Sequence, residues 1–156
     1  LQSGNIDATE WVGPYNDLAF GLYKAAKYYY YPGFHEPGTA LELLVNREAL
    51  ARLPADLQAI VLNAAKVVNA DMLAEYTARN PGALEQLIEQ HGAQLRQFPP
   101  DVLAQLRRVS AEVVAGVAEQ DAPSKKVYDA YQDFLARVRA YTDLTELAYV
   151  RARDAS

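Results

Sequence analysis

From Pro54 almost to its end, the chain carries apolar residues at the spacing of an α-helix, and this pattern constrains the fold most. Between Leu57 and Met72 apolar residues recur at intervals of three and four, which places them on one stripe of a helix that Pro54 begins. The turn signal at 80–82, Asn-Pro-Gly, predicts the end of this helix. Further helices are predicted over 17–24, 47–52, 83–90 and 101–119, from Pro123, and after Thr142. Asn46 and Thr142 are the predicted N-caps of the helices that follow them, and the valines and leucines of 101–119 are expected to face inward.

The first part of the chain has a different character, because nine of the sixteen aromatic residues lie between Trp11 and Phe34. Aromatic and β-branched residues favour the pleated surface of a sheet. Strands are therefore predicted over 6–11, 28–31 and 39–45, with a short edge strand over 94–98. Together these elements indicate an α+β or α/β fold in which helix is in excess.

Composition excludes several classes of protein. The chain has 156 residues, of which 51% are hydrophobic, and this is enough for one folded domain. It has no Cys, which excludes a disulfide framework and a Cys-based zinc site. Its formal net charge of −5 argues against a nucleic-acid partner, because nucleic acid requires a basic face. No apolar run approaches the roughly 20 residues of a membrane-spanning helix.

Few residues are candidates for catalysis. The chain has two histidines and no Gly-rich phosphate loop, and none of its serines lies in a recognisable motif. His91 precedes Gly92 at a predicted helix C-terminus, a position that favours a capping role. His35 lies in a loop bounded by Pro-Gly pairs, which favours a surface or pocket-lining role. Because no base–nucleophile pair is recognisable, the sequence does not indicate an enzyme.

Two carboxylates stand out, because Glu10 and Glu36 each follow a predicted strand and lie among aromatic residues. Carboxylate oxygens, together with a backbone carbonyl at the end of a strand, suit a hard cation such as Na⁺ or Ca²⁺. The alternative is that both residues are ordinary exposed acids at loop edges. The residues alone leave both interpretations open.

Two stretches of sequence carry a family resemblance. The segment GNIDATEWVGPYND over 4–17 and the run YYYYPGFHE over 28–36 resemble the solute-binding proteins of tripartite ATP-independent periplasmic (TRAP) transporters. Within that group the chain is most similar to the binders of 2-oxo acids and related monocarboxylates. The resemblance covers essentially the whole chain, loosely after about residue 120, and its helical part is the least specific.

The resemblance implies a helix-rich α/β fold, in which two lobes of a periplasmic receptor close on a small organic carboxylate and deliver it to the TRAP membrane subunits. The match begins well inside the family's chain, so this sequence is expected to be the C-terminal half of a longer receptor. Residues 1–46 are then expected to hold hinge-proximal strands and ligand-binding loops. Residues 47–122 are expected to form the helical part of the lobes, and 123–156 the C-terminal helices.

The resemblance also implies a binding site, in which a cation bridges protein and substrate. Glu10, the backbone carbonyl of Trp11 and Glu36 match positions that coordinate the cation, either Na⁺ or Ca²⁺. Trp11 also matches a pocket wall, and Tyr15, Phe34 and His35 are weaker candidates for lining it. Many members have Trp where Phe34 and His35 stand, and this departure leaves the substrate open.

Two further expectations concern what the chain does by itself. In the family, an Arg in the middle of the chain clamps the substrate carboxylate, and that part of the family's chain lies before the position that matches Leu1. A cation site also needs about six oxygens, of which this chain offers three. Substrate binding by this chain alone is therefore expected to be weak or absent. The alternative role is that of an interaction fragment, since an amphipathic stripe over 124–153 is suited to pair two chains; the other possibility is that this stripe packs on its own lobe.

Overall fold

The computed structural model describes residues 1–34, 36, 38 and 41–155, and the chain divides into two compact units, Leu1–Phe98 and Pro99–Ser156. The predicted division at 46 and 122 concerns the parts of a longer receptor, and it stays a prediction.

The first unit combines helices with a small sheet. Its elements are α1 (Pro14–Phe20), a 3₁₀ turn (Leu22–Lys24), β1 (Tyr28–Tyr31), α2 (Arg47–Ala51), α3 (Ala55–Glu89) and β2 (Gln94–Gln97). Strands β1 and β2 pair in parallel, with Tyr28 opposite Gln94 and Tyr31 opposite Gln97. A parallel pair requires a crossover connection, which α2 and α3 supply. The helix-rich α/β prediction is confirmed, as are the predicted strands at these two positions.

Two other predicted strands are wrong. Residues 6–11 and 41–45 are irregular, while Thr39 and Ala40 lie outside the described residues. A strand is stable only when a neighbour satisfies its backbone N–H and C=O groups. Among the described residues, no backbone hydrogen bond joins either segment to another extended segment. A composition that favours strand therefore has nothing to pair with at these two places.

Helix α3 continues through Pro81, where the sequence predicts its end, so the two helices predicted before and after this point are one. Proline inside a helix removes a backbone hydrogen bond and costs about 3 kcal/mol. The residues beyond it explain why the helix continues, because Ala83 and Leu87 are buried and Leu87 is only 2% exposed. Burying a leucine side chain contributes about 1.5–3 kcal/mol, which offsets most of the cost.

Helix α1 packs on α3 and ends where glycine permits a change of direction. The helix predicted over 17–24 is divided at Gly21, whose φ of 75° lies in the left-handed region. After the 3₁₀ turn, the ring of Tyr23 stacks on His91, with centroids 3.7 Å apart. His91 follows the end of α3 at Glu89, and this stacking ties the helix end to the α1 region.

One buried carboxylate links α1 to β1. The Tyr29 hydroxyl donates a hydrogen bond to Oδ2 of Asp17, which is 6% exposed. Oδ1 of Asp17 is buried and has no hydrogen-bond partner among the described residues. Burial raises the pKa of the Asp17 carboxyl above 3.8; the Tyr29 hydrogen bond opposes this rise, and the charge of Glu10 adds to it. Burial, and then the hydrogen bond to Asp17, raise the pKa of Tyr29.

The second unit consists of α4 (Pro100–Ala118), α5 (Ala122–Leu144) and α6 (Glu146–Arg153), with α5 packed against both neighbours. Asp121 caps α5, because its carboxylate accepts a hydrogen bond from the Ser124 N–H at 2.7 Å. The predicted cap at Thr142 is wrong, since α5 continues past it to Leu144. The break falls at Thr145, which leaves helical geometry and donates its hydroxyl to the Tyr141 carbonyl.

Apolar stripes that were expected inside are largely exposed. Val113 and Val114 of α4 and Ile60 and Val67 of α3 are each more than half exposed. A helical stripe is buried only where another element packs on it, and within each unit the described residues leave these stripes uncovered. The periodicity therefore predicted the helices correctly, and it did not predict their burial. None of the helices in the described part of the chain has the length and apolar content to cross a bilayer.

The Asp17 carboxyl makes stability depend on pH in a direction opposite to that of a salt-bridged acid. Its folded-state pKa is raised, so the folded chain binds more protons than the unfolded chain between 3.8 and the raised value. We compare the free energy of unfolding of the native chain with that of Asp17→Asn. We expect the advantage of the native chain to be greatest below pH 3.8 and to fall as the pH rises through the raised pKa of Asp17. Urea unfolding of both proteins across this pH range measures the difference in free energy of unfolding. An increase of that difference in favour of the native chain as the pH rises would contradict the prediction.

Candidate functional site

The segment Glu10-Trp11 lies just before α1, in irregular backbone rather than at the end of a strand. Pro14 occupies the first position of α1, where its missing N–H costs nothing. The start of this helix therefore determines where the chain leaves Trp11. Whatever holds the first turn of α1 also positions the two predicted site residues that precede it.

Trp11 is held on one side and accessible on the other. Its ring centroid lies 5.7 Å from that of Phe20, with the planes tilted by 34°, and 51% of the residue is exposed. An aromatic ring that is supported by a helix and still accessible is suited to line a binding pocket. The predicted role of Trp11 as a pocket wall is compatible with this geometry.

Tyr15 makes three contacts with residues of α3. Its backbone N–H donates to Oδ1 of Asn80 at 3.0 Å. Its ring meets Tyr76 edge to face, with centroids 6.0 Å apart, and the guanidinium of Arg79 lies 5.3 Å from the ring centre. Arg79 also pairs with Glu75 at 2.7 Å, so its charge is partly compensated. Tyr15 is therefore held against α3, four residues after Trp11.

The second part of the predicted site follows β1. Phe34 is 45% exposed and Glu36 is exposed, while His35 lies outside the described residues. Glu10 is exposed as well, and its charge contributes to the raised pKa of the Asp17 carboxyl, so it acts electrostatically on α1. These positions keep both carboxylates accessible to an ion from solvent.

The oxygens of this region suit a hard cation and form only part of a coordination shell. Two carboxylates and the Trp11 carbonyl are donors of the type that Na⁺ and Ca²⁺ accept. In the described ranges, no group of three or more acidic, His or Cys side chains is close enough to hold a metal ion. The predicted ligand set needs further oxygens from elsewhere, and it stays a prediction.

Sequence reasoning missed the residues that hold the segment in place. Asn80 was interpreted as a turn residue because Pro81 and Gly82 follow it, yet it lies in α3 and accepts the Tyr15 N–H. The Asp17–Tyr29 link was missed because nothing local distinguishes one acid and one tyrosine among many. The only sequence signal for Asn80 was a polar side chain within a long helical pattern, which the proline obscured.

Known proteins resemble this chain over nearly all of its length. It is 40% identical over 149 residues to the monocarboxylate 2-oxoacid-binding periplasmic protein of Nostoc sp. strain PCC 7120, covering 96% of this chain and 41% of that protein. A crystal structure of a TRAP transporter solute binding protein from Bordetella bronchiseptica RB50 superposes with a TM-score of 0.92 at 34% identity. The match covers 98% of this chain and 45% of that one, so the chain spans less than half of each. The Bordetella protein is described as a mixed occupancy dimer, with calcium and picolinate copurified in one active site and the other site apo.

The family assignment rests on a match that includes the whole candidate site. The model of the bacterial extracellular solute-binding proteins of family 7 (DctP) matches residues 1–121. This range contains both carboxylates, the aromatic segment and the elements α1 to α4. The family is one of transport proteins rather than a class of enzymes, as the lack of a catalytic pair in the sequence indicated. The chain belongs to family 7 of the bacterial extracellular solute-binding proteins.

Proposed function

We propose that this chain is part of the periplasmic receptor of a TRAP transporter, which captures a small organic carboxylate through a bridging cation. The substrate class is a 2-oxo acid or a related carboxylate, and the receptor delivers it to the TRAP membrane subunits. The observation that carries this proposal is the 40% identity, over 96% of the chain, to a binder of monocarboxylate 2-oxo acids.

The chemistry of two ligands supports the bridging cation. The Bordetella relative holds calcium together with picolinate, whose carboxylate lies beside a ring nitrogen. A 2-oxo acid has the same arrangement, with its ketone oxygen in place of the nitrogen. Both molecules therefore chelate a cation through two atoms in a five-membered ring, which leaves the remaining coordination positions to protein oxygens.

We assign roles to the residues of the candidate site on this basis. Glu10, the Trp11 carbonyl and Glu36 hold the cation, which is Na⁺ or Ca²⁺. Trp11 walls the pocket, and Tyr15, Phe34 and His35 line it. Support comes from the exposure of both carboxylates and from the fixed positions of the Trp11 and Tyr15 rings.

A chimera tests the proposed function and the incompleteness of the site together. We expect a chimera in which this chain replaces the matching segment of the Nostoc relative to bind pyruvate in the presence of Ca²⁺ or Na⁺. This chain alone is expected to bind at least about 100-fold more weakly, because it supplies three of about six cation ligands. Isothermal titration calorimetry measures both affinities, with the unmodified Nostoc protein as reference.

Two results of that titration are decisive. Micromolar binding of pyruvate by this chain alone would overturn the partial site. A folded chimera that binds no 2-oxo acid, 2-hydroxy acid or dicarboxylate with either cation would overturn the proposed function.

The two carboxylates are tested in the same chimera. Glu10→Gln and Glu36→Gln each remove one negative charge from the cation site, and cation affinity rises with ligand charge. We expect each change to raise the Ca²⁺ concentration needed for pyruvate binding by about 10-fold or more. Glu119→Gln, the same change at an exposed position in the second unit, is the control and should leave that concentration unchanged. Unchanged pyruvate binding in both site variants would refute the assignment.

A second candidate role is self-association through the C-terminal helices. Along α5, apolar residues recur at alternating intervals of four and three, and all of them are exposed: Val127, Tyr131, Phe134, Val138 and Tyr141. This spacing is typical of a helix that packs lengthwise against another helix. The dimer of the Bordetella relative supports a homodimer, while packing of this stripe on its own lobe is the competing arrangement.

Light scattering after size exclusion separates the two arrangements. We expect this chain to form a dimer and Phe134→Lys to raise its dissociation constant by about 10-fold or more, because a charge enters the apolar seam. Leu73→Lys makes the same change at an exposed apolar residue of α3 and should leave the dimer intact. A strict monomer of the native chain at high concentration would exclude the homodimer.

A further inference from the structure

The second unit contains an open groove of about 680 Å³ whose lining comes from all three of its helices. Small-molecule sites in proteins have volumes of about 300–1,000 Å³. Val138 and Leu147 supply the apolar part of the lining. The polar part is unusual, because three arginines line the groove, one from each helix: Arg107, Arg139 and Arg151.

The groove divides the six arginines of this unit into two sets. Three of them pair with nearby carboxylates at 2.6 to 2.9 Å: Arg108, Arg137 and Arg153. The three that line the groove have no ion pair and no hydrogen bond among the described residues of the chain. The guanidinium groups of this unit that lie outside the groove are therefore paired with carboxylates, whereas the three that line the groove are available to a ligand.

The charge balance of the groove favours an anion. Asp143 is the acidic residue among those that line the groove, so the lining carries a formal charge of plus two in a chain whose net charge is −5. Thr142 adds a hydroxyl that can donate a hydrogen bond. Guanidinium groups bind carboxylate and phosphate oxygens through paired hydrogen bonds.

We propose that this groove is a second binding site, distinct from the carboxylate site of the first unit, and that it takes a phosphate group. One guanidinium can bind both oxygens of a planar carboxylate through two parallel hydrogen bonds. Three guanidiniums that come from three helices offer donors for more than two oxygens, which favours a phosphate group over a carboxylate. The phosphate comes from one of two sources, free inorganic phosphate or the headgroup of an anionic phospholipid.

Titration of the full chain with inorganic phosphate tests the site against matched controls. Arg107→Gln, Arg139→Gln and Arg151→Gln should each weaken phosphate binding by about 3- to 10-fold, as expected for exposed charge-assisted contacts. Asp143→Asn should strengthen it by about 3-fold, because it removes the opposing charge. Arg108→Gln, Arg137→Gln and Arg153→Gln make the same change on the same three helices outside the groove, and they should leave the affinity unchanged.

Flotation with vesicles distinguishes the two sources. The site is assigned to a lipid headgroup if the chain binds phosphatidylglycerol vesicles and not phosphatidylcholine vesicles, and if the groove variants lose this binding. It is assigned to the free anion if the chain binds inorganic phosphate and does not bind vesicles. The proposal is overturned if neither binds, if both sets of arginine variants lose binding equally, or if acetate binds as tightly as phosphate at equal ionic strength. Because all these residues lie in the second unit, a failure here leaves the proposed carboxylate function standing.

Discussion

The hydrogen bond from the Tyr15 N–H to Asn80 is the contact on which the candidate site depends. It attaches the first turn of α1 to the C-terminal third of α3, and α1 begins three residues after Trp11. The site segment has no regular structure of its own, so its position follows from this attachment. The next residue of α3 is Pro81, and the helix continues through this proline to carry the buried Leu87.

The two units carry charge of opposite sign in their proposed sites. In the first, exposed carboxylates and a carbonyl suit a cation, and the field of Glu10 extends to the buried Asp17. In the second, three guanidinium groups and one carboxylate give the groove a net positive lining that suits an anion. Neither property follows from the net charge of the chain, because each depends on which side chains the fold brings together within one unit.

Local signals were sufficient for part of the fold. The N-cap at Asn46 is present as predicted, with its Oδ1 accepting the Ala49 N–H at 2.9 Å. The strand over 28–31 also formed where predicted, because the crossover brings a partner beside it. The segment over 6–11 was also predicted to be a strand and did not form one, since pairing is a non-local property that no local pattern reveals. The same reason explains the exposed stripes of α3 and α4, whose covering elements are not determined by their own periodicity.

By itself, the sequence determined where most of the helical segments lie, the family, and the residue types that a cation site requires, since all three follow from spacing and local motifs. Only the tertiary structure decided that α3 passes through its proline, that Asn80 and the Asp17–Tyr29 pair hold α1 in place, and that three arginines far apart in sequence share one groove. These features join residues that are up to 65 positions apart. Their energies come from burial and from pairing of polar groups, which exist only after the chain has folded.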